Sequence, residues 1–136
     1  MATLIWVDAS VTINSVDLSD HVRQVSITYE AEMQDETAMG LDTRKNKPGL
    51  LNWSVDVEFN QDFSASEVDA TLFDLVGAAA FTIAIKPTSS GVGPTNPNYT
   101  GSVVLESYGP VDGQVGDLAV TRATFRSAGS LSRAVT

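Results

Sequence analysis

Cysteine is absent from the 136 residues, and histidine occurs once, at His21. Without thiols there are no disulfides, no thiolate metal sites and no cysteine nucleophile, and nothing points to an oxidising compartment. One histidine also leaves zinc without a ligand set. Basic residues are scarce, with 8 Lys and Arg against 17 Asp and Glu and a formal charge of −9. Gripping a phosphate backbone or an anionic membrane needs Lys and Arg, so a tight nucleic-acid or membrane-surface binder is not expected. No Lys or Arg falls between Lys47 and Lys86, an interval that holds Asp56, Glu58, Asp62, Glu67, Asp69 and Asp74. At least one surface should therefore be strongly negative; the plain alternative is that this acidity only serves solubility. Long hydrophobic runs are missing as well. The opening run Thr3 to Val7 has no basic leader and is broken by Asp8, so neither a signal peptide nor a membrane span is expected. The length suits one domain, residues 1–136, with a core that needs no metal or disulfide staple.

Catalytic signatures are lacking too. A Ser-His-Asp group would have to use His21, which directly follows a turn at the start of a strand and reads as a surface residue. There is no Gly-x-Ser-x-Gly elbow, no phosphate loop and no dinucleotide fingerprint. Calcium has no Asp-x-Asp-x-Asp-Gly loop, and Asp35-Glu36 are neighbours rather than spaced ligands. Asp56 and Glu58 project from one face of one strand roughly 7 Å apart, a spacing that glycosidases use, but that face lacks an aromatic platform for a sugar. No cofactor is expected, and a non-enzymatic binding or assembly module is left by elimination.

The remaining pattern is mainly β. Thr3 to Val7 and Val11 to Asn14 read as short strands, and Asn14 to Ser19 supplies turn-forming residues. From Arg23 to Glu30, Val25, Ile27 and Tyr29 alternate with Gln24, Ser26, Thr28 and Glu30. The alternation returns with Trp53, Val55, Val57 and Phe59 inward and Ser54, Asp56, Glu58 and Asn60 outward, predicting an antiparallel hairpin. Ser64 with Glu67 forms a capping-box pattern, Phe63 with Val68 a staple, and Val68, Leu72, Leu75 and Val76 a helical stripe stopped by Gly77. That predicts a helix of roughly three turns. Further strands follow at Phe81 to Ile85, at Tyr99 to Tyr108, around Leu118, Val120 and Phe125, and at Leu131 to Val135, with an uncharged loop over Pro87 to Asn98. The fold expected is an antiparallel β-sandwich or partly closed barrel with one flanking α-helix and a long hairpin loop.

That loop is the most telling segment. Met33 to Leu50 is a polar stretch of about eighteen residues, closed by Pro48-Gly49, and loops of such length are usually binding or assembly elements. It is sorted by charge: Glu30, Glu32, Asp35 and Glu36 on the approach and first half, Arg44, Lys45 and Lys47 on the second. Such an arm suits docking on a copy of itself.

Several stretches together resemble the major tail-tube proteins of long-tailed bacteriophages of the siphovirus type. They are Val11 to Ser19 leading into Val25 to Glu30, Asp35 to Gly40 in the loop, Gly49 to Phe59, and the Val68 to Phe73 run in the helix. The resemblance covers nearly the whole chain and implies hexameric rings stacked into a tube with an acidic lumen, through which DNA passes without specific binding. It implies a place in the virion tail after synthesis in the host cytoplasm, no membrane contact, and partners among other tail proteins: tape measure, tail terminator and distal tail protein. On this reading Asp35, Glu36, Met39, Leu41, Arg44, Lys45 and Lys47 form the contact loop between rings and subunits. Glu30, Asp56 and Glu58 are candidates for the lumen; the outside of the tube is an equal alternative for them. Two other functions stay open, another small virion component such as a tail terminator or head-decoration protein, and a monomeric ligand-binding β-sandwich. The latter needs an exposed row of aromatics, whereas Trp6 and Trp53 both fall in strand patterns that face a core.

Overall fold

A computed structural model describes residues 3–136. The chain is mainly β, and its strands join into one open, antiparallel sheet. In chain order these are β1 (Ser10–Ile13), β2 (Val16–Asp17), β3 (Val22–Asp35), β4 (Asn46–Asn60), β5 (Phe81–Lys86), β6 (Asn98–Tyr108) and β7 (Val120–Ala134), arranged β2-β1-β5-β6-β7-β4-β3. The short helix α1 (Val68–Leu72) follows β4 and tightens into a 3-10 turn at Phe73–Leu75.

Period-2 patterning places the core. Trp53, Val55, Val57 and Phe59 of β4 are buried, as are Phe81, Ile83 and Ile85 of β5 and Val103 and Leu105 of β6, all as the alternation predicts. Val11 and Ile13 of β1, from the far side of the sheet, join them in one cluster capped by Val68, Leu72 and Leu75 of the helical segment. Phe81 and Phe125 meet edge to face with ring centroids 5.9 Å apart. Asn14 and Ser15, both with positive φ, make the two-residue turn from β1 to β2.

Five expectations require correction. Thr3 to Val7 form no strand; Ile5, Trp6 and Val7 are 84%, 65% and 84% exposed, so Trp6 faces no core. The capping box is not made: Ser64 and Glu67 give α1 no side-chain cap, the helix begins only at Val68, and Phe63 is exposed rather than stapled. Helix and 3-10 turn end at Leu75, shorter than three turns, and Val76 is exposed before Gly77 turns the chain with φ +80. The last two strands are one, β7, kinked where register shifts between Ser127 and Leu131, while Leu118 lies outside it and is exposed. Finally, both ends of the eighteen-residue loop are strand: β3 runs on to Asp35 and β4 begins at Asn46.

Candidate assembly interface

The expected hairpin exists, and it is longer than the apolar pattern announces. β3 and β4 stay paired from Val22↔Phe59 out to Asp35↔Asn46, which leaves only residues 36–45 as loop. Pro48 and Gly49 therefore sit inside β4 rather than at a loop end. Proline is tolerated there because β7 joins β4 only from Ser54 to Asn60, leaving the Asn46–Trp53 half with a neighbour on one side alone. That half and its partner on β3 project from the sheet as a two-stranded arm, roughly 25 Å long at the rise of an antiparallel strand. The arm carries exposed apolar side chains: Met33, Leu50 and Leu51 on its strands, Met39 and Leu41 at its tip.

The sorted charges of the arm face one another. Arg44 donates to Asp35 at 2.8 Å, and Lys45 Nζ lies 3.3 Å from Glu36. Thr37, through its backbone N–H and its side chain, and Arg44 together hold the Asp35 carboxyl below the usual carboxylate range. Lys47, opposite Gln34, has no carboxylate within 4 Å among the described residues. All these groups are exposed, and such pairs contribute at most about 1 kcal/mol each, so they can exchange partners readily.

The three carboxylates proposed for a lumen lie on one face. Glu30 pairs in register with Asn52, Ser26 with Asp56, and Gln24 with Glu58, and residues two apart on a strand share a side. β7 places two arginines on this same face, which charge counting along the sequence did not connect. Arg122 approaches Glu58 at 3.6 Å, Thr124 donates to Asp56 at 2.9 Å, and Arg126 donates to Glu106 at 2.7 Å. With Glu106 the face holds four carboxylates against two guanidiniums and remains net acidic.

Near the start of β3, His21 is not an ordinary surface residue. Its Nε2 lies 2.9 Å from Asp62 and 3.0 Å from Glu67, its Nδ1 3.1 Å from Asp20, and its side chain is 16% exposed. Burial alone would lower its pKa, but the Asp62 hydrogen bond and the Asp20 and Glu67 charges outweigh it and raise the pKa above 6.5. Asp62 is held below its usual range by the Ser64 backbone N–H and side chain and by His21. The Ser64/Glu67 signal thus had another use: Asp62 accepts from Ser64, and Glu67 turns to the imidazole. On the same side Tyr108 donates to Asp69 at 2.9 Å, accepts from Gln61 at 3.0 Å, and is pushed up to about 12 chiefly by burial.

No protein-family profile and no curated protein matches this sequence. Solved structures do. A chain of the sheath/tube terminator of an extracellular contractile injection system, in its extended state, superposes with a TM-score of 0.75 at 13% identity over 99% of both chains. A chain of the SPP1 tail tube gives 0.72 at 10% identity, covering 95% of this chain and 77% of that one. A chain from the tail of an empty gene transfer agent particle, with C6 symmetry, gives 0.68 at 17% identity over 85% and 83%. At these identities the likeness establishes the architecture, and this chain has the fold found in tail tubes and tube terminators.

Proposed function

We propose that the chain is a structural subunit of a phage-type tail tube, self-associating into sixfold rings that stack around a channel. The observation that carries this reading is the fold shared over 99% of both chains with a tube terminator, joined by the same fold in tail-tube chains. The projecting arm supports it: a lone two-stranded hairpin is marginal in water, and one studded with exposed Met and Leu gains stability by being covered. Asp35, Glu36, Met39, Leu41, Arg44, Lys45 and Lys47 make the contacts to a neighbouring ring, the ion pairs of the free arm being exchanged for pairs between copies. Glu30, Asp56 and Glu58 face the channel, where a net acidic wall keeps DNA from adhering. Other tail proteins, including a tape measure, a terminator and a distal tail protein, meet the tube at its lumen and ends, and the mature site is the virion tail after synthesis in the host cytoplasm. The role is structural rather than catalytic.

Light-scattering mass across a concentration series tests this reading. The expected result is a rise from the 14.4 kDa chain to six times that mass and multiples of it. A mass that stays at one chain at every concentration and salt would transfer the reading to a decoration or ligand-binding role.

A further inference from the structure

The sheet forks. Beyond Ser54↔Arg126, β4 continues into the arm with β3, while β7 continues with β6 as far as Asn98↔Ala134. The Asn46–Trp53 part of β4 and the Ser127–Ala134 part of β7 therefore each lack a strand partner on one side. Between the diverging strands lies a cleft of about 320 Å³, lined by Tyr29, Leu51, Trp53, Ser127, Gly129 and Leu131. Trp53 closes its base, donating from Nε1 to the Gly129 carbonyl at 2.8 Å. Unpaired strand edges beside apolar side chains are a template for one more strand.

The chain also holds a strand without a sheet. Thr3 to Val7 has Leu4 and Trp6 on one side and Ile5 and Val7 on the other, so it is apolar on both faces, the pattern of a strand buried between two layers. In its own chain it makes no strand, and Trp6 borders a shallow cleft that Val22 and Arg23 also line, with most of its side chain exposed. The segment is anchored just behind, where Asp8 accepts from the Ser89 hydroxyl at 2.6 Å. Five residues reach roughly 17 Å from that anchor, whereas the fork opens at Tyr29, roughly 24 Å along β3 from Val22, which lines the same shallow cleft as Trp6.

We propose that residues Thr3 to Val7 of one copy dock as an extended strand in the β4/β7 fork of a second copy. The inference rests on the assembly reading and names one of its contacts. Backbone pairing to the free edges supplies register, and Ile5, Trp6 and Val7 leave water against Tyr29, Leu51 and Leu131.

The absence of cysteine makes the test clean. An Ile5→Cys chain and a mass-tagged Ser130→Cys chain are mixed in equal amounts, allowed to assemble, and oxidised mildly. Both positions are exposed, so neither change touches the core. The expected result is a disulfide-linked pair carrying one chain of each kind. Its yield should be about tenfold above that from Ile5→Cys mixed with Val115→Cys, because docking raises the local thiol concentration. Assembled material with a yield at the control level overturns the inference and leaves the assembly reading standing. Wild-type protein that stays monomeric by light scattering overturns the assembly reading and this inference with it.

Discussion

At the scale of single residues, the close fit of Gly101 and Trp53 shows why a core can depend on a missing atom. A Cβ on Gly101 would fall 2.4 Å from the Trp53 ring and 2.9 Å from the Ser130 carbonyl, so the indole can lie across β6 only if that position is glycine. Gly101→Ala should destabilise the protein by about 2 kcal/mol, the usual scale of overpacking, read as a lower urea midpoint with reduced burial of Trp53 fluorescence. An unchanged midpoint would mean that Trp53 is not seated as described. His21 offers a second test. Its folded pKa is raised above 6.5, so the stability it contributes is fully present below that value and is lost as pH rises through the folded pKa. The stability difference between wild type and His21→Gln should be largest in mild acid and disappear in alkali. A difference that stays constant between about pH 5 and pH 9 would contradict the imidazolium clasp. The burial of Trp53 was legible from alternation, whereas the clasp was not, because Asp62 and Glu67 reach His21 from a segment far along the sequence and only Asp20 is its neighbour.

At the scale of elements, what the sequence reveals depends on whether one face is wet and the other dry. β4 from Trp53 to Phe59 and β5 were readable because alternate residues enter the core. The outer half of the β3–β4 hairpin is exposed on both faces, so its alternation carries no apolar side and it reads as a loop. Thr3 to Val7 fails in the opposite sense, with apolar residues and no partner strand within the chain. β7 reads as two pieces because the irregularity at Ala128-Gly129-Ser130 interrupts its period. For the arm, the account predicts that reversing Arg44, Lys45 and Lys47 to Glu weakens assembly at low salt while leaving thermal stability of the monomer nearly unchanged, since exposed ion pairs contribute at most about 1 kcal/mol. Sedimentation velocity at low and high salt checks it. Equal assembly of the reversed and wild-type chains under both conditions would remove these residues from the interface.

At the scale of the whole molecule, the charge imbalance acquires a place. The acidic face of β3, β4 and β7 is moderated by Arg122 and Arg126, so the proposed channel, if lined by it, would repel a phosphate backbone gently. Screening confines that repulsion to about 8 Å at physiological salt, short enough not to obstruct a wide channel. Assembled Asp56→Lys/Glu58→Lys protein should retain DNA in a filter-binding assay at low salt and release it as salt rises, whereas wild-type assemblies should retain none. Identical retention by both would place this face outside the channel. Fold class and overall acidity were legible along the chain, but the fork, the exposed Trp6 segment and the arginines facing Glu58 and Glu106 arise only from the order in which strands meet.

Electron microscopy of the purified chain, concentrated stepwise, tests the central claim most directly. The account predicts sixfold rings and hollow tubes of uniform width, with the arm bridging successive rings. Isolated single chains at every concentration, or closed particles without a channel, would contradict it.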